Sequence, residues 1–176
     1  MDNTKENSEL ASVNRFLTFF VDEEQYGIDI SKIKEIIAPI SITHIPKTPD
    51  FVKGVINLRG SIIPVVDIRL KFEMQARDMN EETAIIIYEV NKVSIGFIVD
   101  KVEDVLTFDD EHISEAPRFG SNIDTSFIES VAEIDNDVVM LLNLERIFEP
   151  EELLEIGKLE KEDKENKEEL NNDYDD

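Results

Sequence analysis

The middle of this chain is an approximate repeat of itself, and this repeat limits the possible folds more than any other feature. Residues 16–37 match residues 85–106 in their apolar and polar rhythm without a gap. The second copy is then seven residues longer, after which residues 51–67 match residues 127–143. Both copies consist of short β-branched runs separated by turn residues, a pattern typical of strands. The sequence therefore predicts two related β units in one chain.

Each unit is predicted to form a small closed barrel. About five short strands in about 65 residues are too few for a sandwich, and a barrel leaves no exposed strand edges. Hairpin turns are predicted at residues 59–61 and 135–137, whose composition tolerates a tight reversal. Pro64 lies inside a strand pattern, so we expect that strand at a sheet edge or at a bulge. Because such barrels bury little alone, two lobes, residues 14–76 and 83–150, are expected to share a buried interface.

The charge of the chain excludes several classes of partner. It carries 41 acidic and 18 basic residues among 176, a net charge of −23. Such a protein is repelled by a phosphate backbone and by anionic lipid, which disfavours nucleic acid and direct membrane insertion. No cysteine is present, so disulfides and thiol chemistry are excluded. Neither a signal peptide nor an apolar run of about 18 residues is found, and we expect a cytoplasmic protein.

The two ends of the chain differ from its middle. Residues 1–13 are polar and are predicted to be disordered. Residues 151–176 hold twelve acids and four lysines, and Leu153, Leu154, Ile156 and Leu159 give their first part a short apolar side. We expect an acidic helix that docks its first turns and then frays into a disordered tail. A solvated tail is one interpretation of its last part, and an acidic docking tail is the other.

The repeat also serves as an internal control for candidate functional residues. Positions alike in both copies are interpreted as requirements of the fold. They are Gly27 with Gly96, Phe51 with Phe127, and the predicted helix N-caps Asp67 and Asn143. Arg59 instead stands on a hairpin tip whose counterpart is Asp135, so the turn itself does not demand arginine. The planar guanidinium suits recognition of carboxylates at interfaces, with a solvated turn charge as the alternative.

Four apolar residues occupy equivalent places in the two copies, interleaved with charged ones. They are Ile33, Ile36, Val102 and Val105. If the copies pack as a pseudo-symmetric pair, these segments line one groove between the lobes, and an amphipathic helix could dock there. A role in the core is the alternative.

No catalytic constellation stands out in the sequence. It lacks a glycine-rich phosphate loop, a GxSxG elbow, an HExxH motif and an EF-hand loop. His44 and His112 are isolated, which favours ordinary loop histidines over metal ligands. An acidic enzyme that uses Asp29, Asp67 or Asp100 stays open as an alternative.

Four segments carry a likeness to a known family. They are residues 25–30 (QYGIDI), 55–60 (VINLRG), 62–67 (IIPVVD) and 96–102 (GFIVDKV). These segments closely resemble the bacterial chemotaxis coupling protein family, CheW, and the resemblance extends over about residues 14–150. It implies an all-β fold of two intertwined SH3-like five-stranded barrels, in which the lobes could exchange a strand at their boundary.

The resemblance also implies a function. Members of this family have no known catalysis, and we expect no cofactor and no metal. They bridge the cytoplasmic tips of chemoreceptors to the regulatory domain of the CheA-type histidine kinase, within membrane receptor arrays. An adaptor of a related kinase array, such as one for pilus motility, is an alternative. By position, the resemblance implies receptor binding by Arg59, Ile33, Glu35, Ile36, Val102 and Val105, and kinase binding by Ile42 and Ile62.

Overall fold

The computed structural model describes residues 14–116 and 125–160. The strands in these residues are β1 Arg15–Val21, β2 Glu24–Asp29, β3 Ile33–Ile37, β4 Val52–Leu58, β5 Ser61–Asp67, β6 Ala84–Val90, β7 Val93–Val99, β8 Lys101–Thr107, β9 Ile113–Glu115, β10 Ile128–Ile134 and β11 Asp137–Leu142. Helix α1 is Ile68–Lys71, and helix α2 spans residues 150–160. Short 3-10 helices lie at Ile30–Lys32, Asp110–His112 and Leu144–Arg146. The predicted disordered N-terminus and the predicted tail beyond residue 160 lie outside the described residues.

The strands form two sheets, and each sheet combines both copies of the repeat. The first lobe is the sheet β3-β6-β7-β5-β4, and the second lobe is the sheet β8-β1-β2-β11-β10-β9. The first lobe therefore contains the complete hairpin β6-β7 from the second copy of the repeat. The second lobe contains the complete hairpin β1-β2 from the first copy. The predicted all-β fold with two intertwined lobes is confirmed, but two strands are exchanged in each direction rather than one.

One parallel strand pair joins the two copies within each lobe. In the second lobe β11 pairs with β2, and Leu141 lies opposite Gly27. In the first lobe β5 pairs with β7, and Val65 lies opposite Gly96. A Cβ atom on Gly27 would lie 2.8 Å from Leu141 Cδ2, and one on Gly96 would lie 2.9 Å from Ile85 Cγ2. Each glycine thus lies where a Cβ atom would force a neighbouring side chain to shift, which supports the prediction that the fold needs both.

The lobes differ at one edge. In the second lobe, β9 pairs with β10 and supplies a sixth strand. In the first lobe, the corresponding segment makes only an isolated bridge, in which the Thr43 amide donates to the Val55 carbonyl over 2.8 Å. This approach depends on Gly54, whose φ is +141°, because a Cβ atom there would lie 2.0 Å from the Thr43 carbonyl oxygen. The first lobe thus has the five strands expected, and the second has one more.

A buried apolar cluster extends across both lobes. It includes Phe19 from β1 in the second lobe and Phe97 from β7 in the first, each 1% exposed. Ile156 of α2 is 2% exposed in the same cluster, so α2 also packs on this core. Full burial of one such side chain contributes roughly 1.5–3 kcal/mol. The expected shared interface between the lobes is confirmed.

A capped helical turn follows the last strand of each copy. The Asp67 carboxylate accepts a hydrogen bond from the Arg69 amide over 2.9 Å, and the Asn143 side chain accepts one from the Glu145 amide over 3.0 Å. Both predicted N-caps are confirmed. Asp67 is buried, and this burial raises the pKa of its carboxyl.

Candidate functional site

Arg59 occupies a backbone conformation that suits other residues better. It forms a two-residue turn with Gly60 between β4 and β5, and their φ angles are +52° and +87°. The matching turn of the second lobe has Asp135 and Asn136 at +45° and +70°. For a residue with a Cβ atom the left-handed region costs roughly 1–2 kcal/mol, and Asn and Asp tolerate it best. The geometry of the turn therefore gives no reason for an arginine.

A bidentate ion pair with Glu35 of β3 orients the Arg59 side chain. Arg59 Nη1 donates to Glu35 Oε1 over 3.0 Å, and Arg59 Nη2 donates to Glu35 Oε2. These hydrogen bonds lower the pKa of Glu35 and raise the pKa of Arg59, so both groups are charged at neutral pH. The Arg59 side chain remains 71% exposed. Because exposed pairs contribute little to stability, the main effect of this pair is to aim the guanidinium.

The ion pair stands at the wall of an open cavity of about 460 Å³, here called the Arg59 cavity. Its lining residues are Lys34, Glu35, Leu58, Arg59, Ser61, Ile62, Ile63, Ile87, Ser94 and Glu160. Lys34 Nζ donates to Ser94 Oγ over 2.6 Å, which holds the lysine along this wall. The structure thus brings together Glu35, Arg59 and Ile62, although the resemblance implied receptor binding for the first two and kinase binding for the third.

The four apolar groove candidates divide into two pairs. Ile33 and Val102 are half-buried and pack against the core that the lobes share. Ile36 is 43% exposed and Val105 is 47% exposed. They lie on β3 and β8, which end the strand order of their sheets. The inward pair supports the core, and the outward pair exposes apolar surface.

Ile42 takes a different position. It lies just before the Thr43 bridge, half-buried, and packs against the apolar cluster of the first lobe that includes Ile56 and Ile63. Ile42 is therefore anchored to the first lobe rather than to the shared core. It supports the β4 side of that lobe.

Sequence reasoning missed an apolar cavity on the second lobe. The cavity has a volume of about 460 Å³ and is lined by Ser114, Glu115, Ala116, Ile128, Val131, Val138 and Met140. Val138 is 52% exposed and is the repeat counterpart of Ile62. The repeat alignment carried the signal that could have found this residue.

The carboxylates considered for an acidic enzyme have structural contacts. Asp29 accepts a hydrogen bond from the Ser31 amide over 2.8 Å, Asp67 caps α1, and Asp100 pairs with the Arg69 guanidinium. Within residues 14–116 and 125–160, no group of three His, Cys, Asp or Glu side chains is arranged to hold a metal ion. In the same residues, no helix has both the length and the apolar character needed to span a bilayer.

Comparisons with known proteins agree with this architecture. Residues 15–152 match the family described as the CheW-like domain. The chain is 38% identical over 138 residues to the chemotaxis protein CheW of Klebsiella aerogenes. The aligned region covers 78% of this chain and 83% of that protein. It is 32% identical over 136 residues to the chemotaxis protein CheW of Thermotoga maritima, with 76% and 86% covered.

A solved structure shows the same likeness in three dimensions. The crystal structure of the scaffolding protein TtCheW from Thermoanaerobacter tengcongensis superposes with a TM-score of 0.72 at 37% identity. The match covers 79% of this chain and 94% of that one. Sequence and structure together place this chain in the family of CheW-like domain proteins.

Proposed function

We propose that this chain is a non-catalytic adaptor that couples chemoreceptor cytoplasmic tips to a CheA-type histidine kinase, recruited from the cytoplasm to receptor arrays. The observation that carries the proposal is Arg59, an exposed arginine on a left-handed turn that a bidentate carboxylate aims beside a cavity. Relatives that match over most of their length are named chemotaxis proteins, and the solved neighbour is named a scaffolding protein. These names support chemotaxis over the alternative of a pilus-motility array.

The receptor surface in this proposal combines Arg59 with Ile36 and Val105. Because the two apolar side chains are nearly half exposed, an amphipathic receptor helix would remove them from water on binding. Arg59 would meet a carboxylate or amide oxygen of that helix through its planar donors. Ile33 and Val102 would support this surface from the core side.

The kinase surface in this proposal lies on the first lobe at Ile42 and Ile62. Ile62 lines the same cavity as Arg59, so a kinase domain on Ile62 would sit next to a receptor helix on Arg59. Neighbouring sites of this kind can carry a coupling free energy of typically about 1–3 kcal/mol. Receptor occupancy would then change kinase affinity without any bond chemistry.

A matched pair of turn variants tests the proposal. Arg59→Asn removes the guanidinium, and Asp135→Asn makes an equivalent turn substitution in the second lobe. Titration of a purified receptor-tip fragment should show at least about tenfold weaker binding to Arg59→Asn, the loss of one charge-assisted contact. Asp135→Asn should bind the receptor-tip fragment as tightly as the unaltered protein does. Both variants should still bind the kinase regulatory domain. Unchanged receptor affinity in Arg59→Asn would overturn the proposed receptor surface.

A further inference from the structure

Helix α2 is fixed to the rest of the protein at its start. The Glu152 carboxylate accepts a hydrogen bond from the Glu149 amide over 2.9 Å, an arrangement that caps the first turn. Lys71 Nζ of α1 donates to the same carboxylate over 2.9 Å and lies 4.5 Å from the centre of the Phe51 ring. A partly buried ion pair therefore holds the first turn of α2 against α1.

The docked face of α2 ends in an acid. Leu153, Ile156 and Glu160 are spaced by three and then four residues, which places them on one face of the helix. Ile156 is 2% exposed, and Leu153 packs against the same shared core. Glu160 is half-buried and lines the Arg59 cavity. Because the match to the CheW-like domain ends at residue 152, that likeness assigns no role to Glu160.

The charged groups that line the Arg59 cavity balance one another in the free protein. There are two bases and two acids among them, namely Lys34, Arg59, Glu35 and Glu160. Arg59 pairs with Glu35, and Lys34 donates to Ser94. A partner carboxylate that meets Arg59 raises the count to three acids against two bases. Like charges brought together at an interface are costly, so a partner that also supplies a cation binds better.

We propose that Glu160 is a specificity-determining residue of the candidate receptor site. It selects a receptor helix that carries a Lys or Arg side chain near the acidic group that meets Arg59, and it rejects a helix with an acid at that place. This inference rests on the proposed receptor role of Arg59.

The size of the cavity limits where the basic group lies on the receptor helix. A compact volume of about 460 Å³ is about 10 Å across, which is about two turns of a helix. The acidic and the basic group of the receptor therefore lie within about two turns of each other. A carboxylate offers about four acceptor positions, so Glu160 can accept a donor from the partner in addition to its contacts within the chain.

Charge reversal at Glu160, with a matched control on the same helix, tests the proposal. Glu160→Lys reverses the charge at the cavity, and Glu155→Lys makes the same change on the exposed side of α2. At about 100 mM salt, Glu160→Lys should bind a purified receptor-tip fragment at least about tenfold more weakly than the unaltered protein. Glu155→Lys should bind within about threefold of the unaltered protein. Circular dichroism should show similar melting temperatures for all three proteins, because neither glutamate is buried in the core.

A panel of receptor-tip fragments then identifies the partner group. Each fragment has one Lys or Arg of the tip changed to Glu. One of them should bind Glu160→Lys at least about tenfold more tightly than the unaltered fragment does, and it should bind the unaltered protein more weakly, as an exchanged ion pair requires. If no fragment restores binding to Glu160→Lys, the assignment of a basic partner group is wrong.

The inference and the proposed function fail in different ways. If Glu160→Lys binds the receptor fragment as tightly as the unaltered protein while Arg59→Asn binds it more weakly, the inference is overturned and the receptor site stands. If the unaltered protein does not bind the fragment, the receptor role fails and the inference fails with it. If Glu160→Lys loses the kinase regulatory domain but keeps the receptor fragment, Glu160 belongs to the kinase surface, and the inference is overturned.

Discussion

Arg69 of α1 donates a hydrogen bond to Asp100, the single residue that links β7 in the first lobe to β8 in the second. Its guanidinium also lies 2.6 Å from the Asp22 carboxylate in the β1-β2 turn. The repeat counterpart of Arg69 is Glu145, which pairs with Lys32 just before β3. Each crossing between the lobes therefore carries an ion pair to the short helix that follows the last strand of one copy, with the charges exchanged.

The two crossings should contribute unequally to stability. The Arg69 side chain is 8% exposed, so Arg69→Ala removes packing and the nearest cation from Asp100 and Asp22, at an expected cost of about 2–3 kcal/mol. Lys32 and Glu145 are 43% and 35% exposed, so Glu145→Ala should cost less than about 1 kcal/mol. Urea unfolding of both variants measures these free energies. Equal losses of unfolding free energy would show that burial of the ion pair does not distinguish the two crossings.

Close packing at the parallel strand pairs gives a second prediction. Gly27→Ala and Gly96→Ala place a Cβ atom under 3.0 Å from a neighbouring side chain, and we expect each to lower the free energy of unfolding by about 1–3 kcal/mol. Gly157→Ala, in helix α2, is the control. The nearest atom to a Cβ there would be Val93 Cγ2 at 3.6 Å, an ordinary van der Waals contact. That variant should be stabilised by roughly 0.5–1 kcal/mol, since Ala favours helix over Gly. Chemical unfolding curves that rank the three variants otherwise would contradict this account.

Local sequence signals predicted the strands and turns of this fold but not every pairing between strands. Turn residues and period-two runs are local, so the strands, the N-caps and the duplicated order were accessible. The exchange of whole hairpins depends on contacts such as Leu141 with Gly27, which lie far apart in sequence. The expectation for Pro64 was wrong, because β5 lies between β7 and β4 and no bulge occurs at Pro64. Its parallel pairing with β7 begins only at Val65, which leaves room for the missing N–H.

The candidate site was accessible where the two copies differ. Arg59 opposite Asp135 was such a difference, and comparison of the repeats singled it out. The ion pair from Arg59 to Glu35 joins the β4-β5 turn to β3 across 24 residues of sequence, and no local spacing predicts it. Val138 was overlooked although its repeat counterpart Ile62 was singled out, and its side chain is half exposed.

The buried N-cap Asp67 predicts a pH-dependent stability. Burial raises the pKa of Asp67 above 3.8, so the folded protein holds this proton more tightly than the unfolded chain. The stability that Asp67 contributes is fully present below pH 3.8 and is lost as the pH rises through the folded pKa. Asp67→Asn keeps the cap, as Asn143 does in the second copy, and it removes this charge.

Asp67→Asn should therefore melt at a higher temperature than the unaltered protein at pH 7. The advantage should disappear as the pH approaches 3.8. Thermal unfolding followed by circular dichroism at both pH values measures the difference. A lower melting temperature for Asp67→Asn at pH 7 would mean that the ionised carboxylate stabilises the cap more than its burial costs.

The two valines of β8 give the last prediction, because they separate a partner surface from the core. Val105 is 47% exposed, so Val105→Glu should cost less than about 1 kcal/mol of stability while it weakens receptor binding at least about tenfold. Val102 packs on the shared core, so Val102→Glu should destabilise the fold by about 2 kcal/mol or more. Thermal unfolding and separate titrations with receptor-tip fragment and kinase regulatory domain distinguish the two effects. If Val105→Glu loses its folded structure together with binding to both partners, Val105 belongs to the core. The proposed receptor surface would then be wrong at this residue.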